Sequence, residues 1–370
     1  IACENGHIDI VKLLLNEKII YDIVPFYLAC ENGHTDIVKL LLNDERIDNV
    51  SETPFYIACQ NGHIEIVKLL LNDKRVDDIN KTNINGVTPF YIACEKGYNE
   101  IVKLLLSIEI IDVNKTDDVG NGATPFFIAC EKGNFGIVKL LLGDKRTDLN
   151  KANKNKSTPF WIACYSGHLE IVKLLLGDKR VDINKVSKGT VTPFFIACEK
   201  GHIDIVEILL NDERVEINKE NKDGQTPFYI ACQNGHIDIV NLFLKINKID
   251  VHKPNKDGQT PFHIACENGH IDIVKYKLVC KREINVNQQN NRGETGINIT
   301  RTITRYEEEN QDDFETRKSN CQKIAELIKS FQSNPNKIRI KLNKQLGLIG
   351  IHSHFHFLII SKKKKKKKNK

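Results

Sequence analysis

An all-α repeat solenoid, with helix–turn–helix units joined by short β-hairpin fingers and closed by C-terminal capping helices, is the fold this sequence predicts. Three observations predict it. Nine near-identical segments run from Ile1 to about Cys280, each pairing a Pro-Phe-Tyr-Ile-Ala-Cys-like run with a Gly-His-Ile-Asp-Ile-Val-Lys-Leu-Leu-Leu-like run. The cysteines Cys59, Cys94, Cys130, Cys164, Cys198, Cys232 and Cys266 recur at intervals of 35, 36, 34, 34, 34 and 34 residues, a period that holds two short helices and a turn. The apolar residues of each second run are spaced as a helical stripe. Units of this kind touch only their neighbours, so one repeat array can account for most of the 370 residues.

The stretch 218–241 justifies the elements in order. Thr226 caps free amides and Pro227 tolerates the first helical position, so a helix opens there. Phe228, Ile230, Ala231 and Cys232 supply its packing positions, and Gly235 ends it in the left-handed conformation that costs glycine least. Ile237, Ile239, Val240, Leu242 and Leu244 form the stripe of a second helix, with Asp238 in its first turn where the helix dipole favours a carboxylate. In most units a Leu triplet such as Leu174, Leu175 and Leu176 runs into Asn or Gly, here Gly177. An extended segment such as Val181 to Lys185 follows, and Asp223-Gly224 or Asp257-Gly258 supplies the turn of a finger. Neither helix is long enough to persist alone. Burial of Phe, Ile and Leu between units, worth roughly 1.5–3 kcal/mol per side chain, must hold the array together.

The runs Thr-Pro-Phe-Tyr-Ile-Ala-Cys and Gly-His-Ile-Asp-Ile-Val-Lys-Leu-Leu-Leu, with the Asp-Gly turn, resemble the ankyrin repeat over about three quarters of the chain. Two departures stand out. The family usually has His after the Thr-Pro-Leu positions, whereas here only His263 stands there, with Tyr56, Tyr91, Phe127, Trp161, Phe195 and Tyr229 elsewhere. The loop Asn72 to Asp77 is one residue longer than the family's, which accounts for the period of 34.

Irregularities divide the chain. The array is expected over 1–297, with shortened repeats in 1–50 whose stretches after Leu15 and Leu42 lose most of the finger, and a degenerate repeat in 281–297 where Gly296 replaces Pro. Gly133-Asn134-Phe135-Gly136 replaces His and the acid, so that second helix is expected to start weakly. The repeat from Lys151 has Asn155-Lys156 for Asp-Gly, the only tryptophan, Trp161, and Tyr165-Ser166 for the usual polar pair. Residues 298–313 read as a charged linker, 314–349 as amphipathic capping helices broken by Pro335, and 350–370 as a disordered Lys-rich tail. The chain opens at Ile1 inside a repeat and contains no Met, which raises the expectation of a missing amino end.

Composition limits the chemistry. Lys362 to Lys368 and Lys370 exceed the whole net charge of +6, and without those eight lysines the body carries −2, so basicity alone does not argue for nucleic acid. Nine of the eleven cysteines occupy one equivalent position. Stacked units place such positions about 8–10 Å apart, too far for a disulfide, so they read as small buried hydrophobes in a reducing, cytoplasmic compartment. The recurring His7, His34, His63, His168, His202, His236 and His270 lack a partner cluster and read as turn-stabilising groups. His352, His354 and His356 alternate on the tail without an acid or Cys to complete a metal site. No phosphate loop, activated nucleophile, Cys pair with ligand spacing or membrane span is evident. The expectation is a non-enzyme without cofactor, metal or small-molecule substrate.

The resemblance implies a scaffold that binds a partner protein through a concave face, using finger tips and the two residues before the helix-ending glycine. Carried over, these are Asn85, Asn121, Asn155, Lys188, Lys222 and Asp223 at the fingers. On the helices they are Glu95, Lys96, Glu131, Lys132, Tyr165, Ser166, Glu199, Lys200, Gln233 and Asn234. Tyr165 is expected to be the strongest contact because it interrupts a polar column with an aromatic, whereas Trp161 is expected in the core. The alternatives are the regulatory arm of a larger enzyme or channel, a nuclear factor using the lysine tail, and a decaying gene copy.

Overall fold

The computed structural model describes residues 1–17, 23–44, 52–76, 78–280, 282 and 284–348. These form twenty helices and no strand. The chain divides into two compact units, Ile1–Pro193 and Phe194–Lys370. The expected shortening after Leu15 and Leu42 falls largely on residues 18–22 and 45–51, and the lysine tail with His352, His354 and His356 on 349–370; all lie outside the described residues.

In the first unit, helix pairs such as Pro89–Lys96 with Asn99–Leu106, Pro125–Lys132 with Phe135–Gly143 and Pro159–Ser166 with Leu169–Leu176 pack side by side. The chain enters each first helix as the sequence dictates: Thr88, Thr124 and Thr158 accept the third amide of the helix, each at 3.1 Å, with Pro at the first position. Each such helix buries Phe90, Phe126 or Phe160 completely, together with the Ala-Cys pair. Second helices bury an Ile-Val pair and the middle Leu, as at Ile171, Val172 and Leu175. The helix after Asn134 forms over nine residues despite its missing acid.

The second unit repeats this pattern in Pro193–Lys200, Ile203–Leu210, Pro227–Gln233, Ile237–Leu244, Pro261–Glu267 and Ile271–Val279. Gly235 shows why its position admits no side chain: its φ is +77°, and a Cβ would lie 2.7 Å from the His270 ring. The fingers are turns without strand pairing. Asn221 closes one by accepting from the Asp223 and Gln225 amides through its side chain, both at 3.0 Å, while its own amide donates to Gln225 O at 3.0 Å. An Asx-type turn satisfies the tip locally, leaving too few paired amides for a ladder.

Three sets of polar side chains join successive repeats within each unit. At the end of the first helix a histidine Nε2 donates to a carbonyl of the preceding repeat, as His34 does to Glu4 O at 2.8 Å and His168 to Glu131 O at 2.9 Å in the first unit. His236 to Glu199 O at 2.8 Å and His270 to Gln233 O at 2.9 Å do the same in the second. Burial holds the His270 imidazole below its ordinary pKa, in the neutral form that leaves Nε2 a simple donor. Asn134 substitutes with its amide, donating to Cys94 O at 2.8 Å and Glu95 O at 3.0 Å. The series expected to stabilise turns therefore ties repeat to repeat.

At the finger base an asparagine clamps the next repeat from both sides. Asn114 donates to Arg146 O at 2.7 Å and accepts from the Asp148 amide at 2.8 Å, and Asn150 and Asn218 act alike on Arg180 with Asp182 and on Lys248 with Asp250. The lengthened loop supplies the third set. Arg75, Arg146 and Arg180 each pair with the aspartate two residues earlier at 2.6 Å and donate at 2.8 Å to Leu42 O, Leu106 O and Leu142 O, at the ends of preceding second helices. The guanidinium thus meets the negative end of a helix dipole, and its hydrogen bonds hold Asp73, Asp144 and Asp178 below the usual carboxylate pKa. Among the described residues the buried side-chain atom left without a partner is the Thr147 hydroxyl, a sign of how fully these polar groups are used.

The second unit ends in a cap. Thr295 and Asn298 start the short helix Gly296–Ile299, and Gln311–Ser333 and Pro335–Gln345 then pack on Ile271–Val279. The segment read as a charged linker packs against this cap. Tyr306 donates to Asn268 Oδ1 at 2.9 Å, and Arg317, only 8% exposed, pairs with Glu309 at 2.7 Å and stacks 4.1 Å from the Tyr306 ring. Arg317 also donates to Glu267 O at 3.3 Å, while the Cys321 thiol donates to Cys266 O at 3.2 Å. Together they satisfy the carbonyls at the point where a following repeat would bring its histidine.

Candidate functional site

The recurring polar residues are engaged in joining repeats, which leaves the positions where the copies differ as the candidate surface. The first helices of the first unit end in a column of side chains on their last turn. Glu95 and Glu131 are half-buried, Lys96 and Lys132 are exposed, and Lys132 reaches Glu95 at 3.8 Å, an exposed ion pair of small energetic weight. Tyr165 is 41% exposed in the same column, with Ser166 half-buried beside it.

Trp161 corrects the expectation of a core residue. Its counterparts Tyr91 and Phe127 are buried, but Trp161 is half-buried, as Tyr27 and Tyr56 are at the same position, and its indole N–H requires an acceptor. That acceptor is the Val191 carbonyl at 3.1 Å. One helical turn away, Tyr165 stacks on the indole with ring centroids 5.5 Å apart and planes at 18°. The pair makes a flat, partly exposed aromatic surface held by a finger behind it.

The sequence-expected finger residues Asn85, Asn121, Asn155 and Lys188 are exposed. Fingers also bond to one another: the Lys154 amide donates to Asn121 O and the Lys188 amide to Asn155 O, both at 2.8 Å, and the Asn155 side chain donates to that of Asn121 at 3.3 Å. The structure thus brings Asn121, Asn155 and Lys188 into one row. In the second unit Lys222, Asp223, Lys200 and Asn234 are exposed, while Glu199 and Gln233 are half-buried. Asn234 donates to Glu199 O at 2.9 Å and Gln233 accepts from the Gln225 side chain at 3.3 Å, so these two serve the array as well as the surface.

The nine repeat cysteines are buried and free, and burial pushes the Cys30 and Cys232 thiols up to about 12, far from the thiolate that a nucleophile needs. Among the described residues no group of His, Cys, Asp and Glu could hold a metal ion, and no helix is long and apolar enough to cross a membrane.

Comparison with known proteins gives one family. The family model described as "Ankyrin repeats (3 copies)" matches in overlapping placements over residues 1–83, 26–117, 75–153, 92–187, 145–221 and 194–290. No curated protein matches the chain.

Proposed function

The chain belongs to the ankyrin repeat family, and on that premise we propose that it is a non-catalytic scaffold that binds a partner protein through its finger tips and first-helix column. Ankyrin repeats are generally protein-protein interaction modules. The observation that carries the reading for this chain is the Trp161–Tyr165 stack, a partly exposed aromatic surface beside a column that is polar in the other repeats. Aromatic anchors surrounded by polar residues are where interface energy concentrates. In this reading residues 1–297 form the array, the helices after it cap the array, and the buried free cysteines favour a reducing compartment such as the cytoplasm.

A photo-crosslinking amino acid at position 165 is expected to capture a discrete partner from cells expressing the chain, and the same group at Lys173, exposed on the second helix of that repeat, is not. Equal capture at both positions, or none at 165, defeats the reading. Tyr165→Ala is expected to weaken the captured partner's binding by about 2 kcal/mol, the size of an interface hot spot, with the thermal midpoint unchanged.

A further inference from the structure

Two successive fingers of the first unit are unlike the rest. Residues 151–157 and 185–191 read Lys-Ala-Asn-Lys-Asn-Lys-Ser and Lys-Val-Ser-Lys-Gly-Thr-Val, with five lysines and no acid. Other fingers carry Asp117 with Asp118, Glu220 with Asp223, or Asp257, and the finger Lys81 to Val87, which also lacks an acid, has a single lysine. The lack of negative charge continues along the repeat: no carboxylate occurs from Leu149 to Leu169, because Tyr165 stands where Glu95 and Glu131 stand in neighbouring repeats. Lys151, Lys154, Lys156, Lys185 and Lys188 are all exposed.

Backbone bonds hold this group in place without neutralising it. The Lys188 amide donates to Asn155 O at 2.8 Å, joining the two fingers, and the Trp161 indole donates to Val191 O at 3.1 Å, joining the second finger to the aromatic stack. Lys154 Nζ donates to the carbonyls of Asp118 at 3.0 Å and Gly120 at 2.8 Å, and Lys151 Nζ to Asn114 O at 3.0 Å. Carbonyl contacts fix the side chains and leave their charge available. The acid facing Lys154 is Asp118, which is already paired with Lys115 at 3.1 Å.

The same two fingers also retain strain. Lys156 at φ 62° and Thr190 at φ 64° are the non-glycine residues with positive φ among those described. Gly86, Gly122, Gly224 and Gly258 hold the corresponding place in other fingers, at φ between 70° and 76°. A side chain there is unfavourable, and backbone strain of this kind clusters at functional sites.

We propose that these two fingers and the Trp161–Tyr165 stack form a docking site for a short acidic peptide segment, its Asp and Glu carboxylates on the lysines and an apolar residue on the rings. This rests on the scaffold reading and adds the partner's chemistry. The extent of the basic surface argues for a peptide: Asp117, Asp118, Glu95 and Glu131 bring negative charge back on the adjacent fingers and column. Adjacent repeats lie about 10 Å apart, so an extended segment steps from one finger to the next in about three residues, at about 3.3 Å each.

The test is selection of a random-peptide library on the full chain, followed by anisotropy of the labelled winners. The expected result is enrichment of Asp and Glu beside an aromatic or aliphatic residue. Affinity should fall about tenfold in the Lys156→Gly/Lys188→Ala double variant, and also on raising salt, as charge contacts at an interface do. Lys156→Gly relieves the left-handed strain, so loss of binding comes with an unchanged or raised thermal midpoint and cannot be unfolding. A control variant, Lys103→Ala/Lys139→Ala on exposed second-helix positions, is expected to bind as the parent does. Winners without acidic enrichment, equal affinity in both variants, or tighter binding of a uridine-rich RNA would each overturn the proposal. Neutral winners that still crosslink at position 165 leave the scaffold standing and remove only the acidic partner.

Discussion

Replacing Lys277 by leucine is expected to raise the stability of the second unit by about 1–4 kcal/mol, the range seen when a buried charged group gives way to a hydrophobe of similar volume. The position is the middle apolar residue of a second helix, occupied by Leu175, Leu209 and Phe243 in other repeats. Lys277 is 2% exposed there, donating to Val251 O at 3.0 Å with its Nζ 4.6 Å from the Phe228 ring centroid. Burial lowers its pKa from 10.5; the surrounding Cys232, Cys280 and Cys266 thiols oppose that shift and Arg282 adds to it. Between the lowered folded value and 10.5 the unfolded chain holds a proton that the folded chain does not. Stability is therefore fullest above pH 10.5 and is lost as pH falls through the folded pKa, and Lys277→Leu abolishes that dependence. Urea titrations of both proteins at neutral and alkaline pH measure the effect, and a Leu variant no more stable than the parent would refute it.

Arg317→Ala is expected to free the cap, at a cost of about 2–4 kcal/mol for truncating a buried guanidinium and stranding its partners. The side chain bonds Thr304 O at 2.8 Å and Glu267 O at 3.3 Å, pairs with Glu309, and stacks on Tyr306. Its hydrogen bonds hold the Glu309 carboxyl down at about 2, below its ordinary 4.5. That depressed value means the pair contributes fully above pH 4.5 and its contribution is lost as pH falls through about 2. Hydrogen exchange reads the result by segment: amides of Gln311–Ser333 should lose protection in the variant while Pro227–Gln233 keeps it. Unchanged protection in the cap would show that the apolar residues Ile324, Ile328 and Phe331, rather than the arginine, hold it.

Much of this architecture was legible because the repeat states it nine times. Thr caps, Pro starts, Gly ends and the Ile-Val-Leu stripe each act within one helix, so local rules find them. Contacts between repeats were harder. His236 and Asn218 act on atoms 37 and 30 residues away, and nothing in a single unit shows which carbonyl they meet. The one-residue loop extension was visible as a spacing, but its purpose, aiming Arg180 at Leu142 O, needed the packed neighbour. Trp161 reads as core because it shares a position with Tyr91, Phe127, Phe195 and Tyr229, all buried, whereas Tyr27 and Tyr56 are half-buried there, and its size and its indole N–H, both readable from the sequence, argue for the edge. Lys277 was overlooked inside a helix that still reads as apolar.

The proposed recognition face rests on one repeat, and Trp161, the sole tryptophan of the chain, reports on it alone. Emission of the intact protein, titrated with the partner captured at position 165, is expected to shift and saturate in step with binding followed by calorimetry, because the ring lies under the occupied surface. A partner that binds by calorimetry and leaves the Trp161 emission unchanged would place recognition elsewhere and contradict the account.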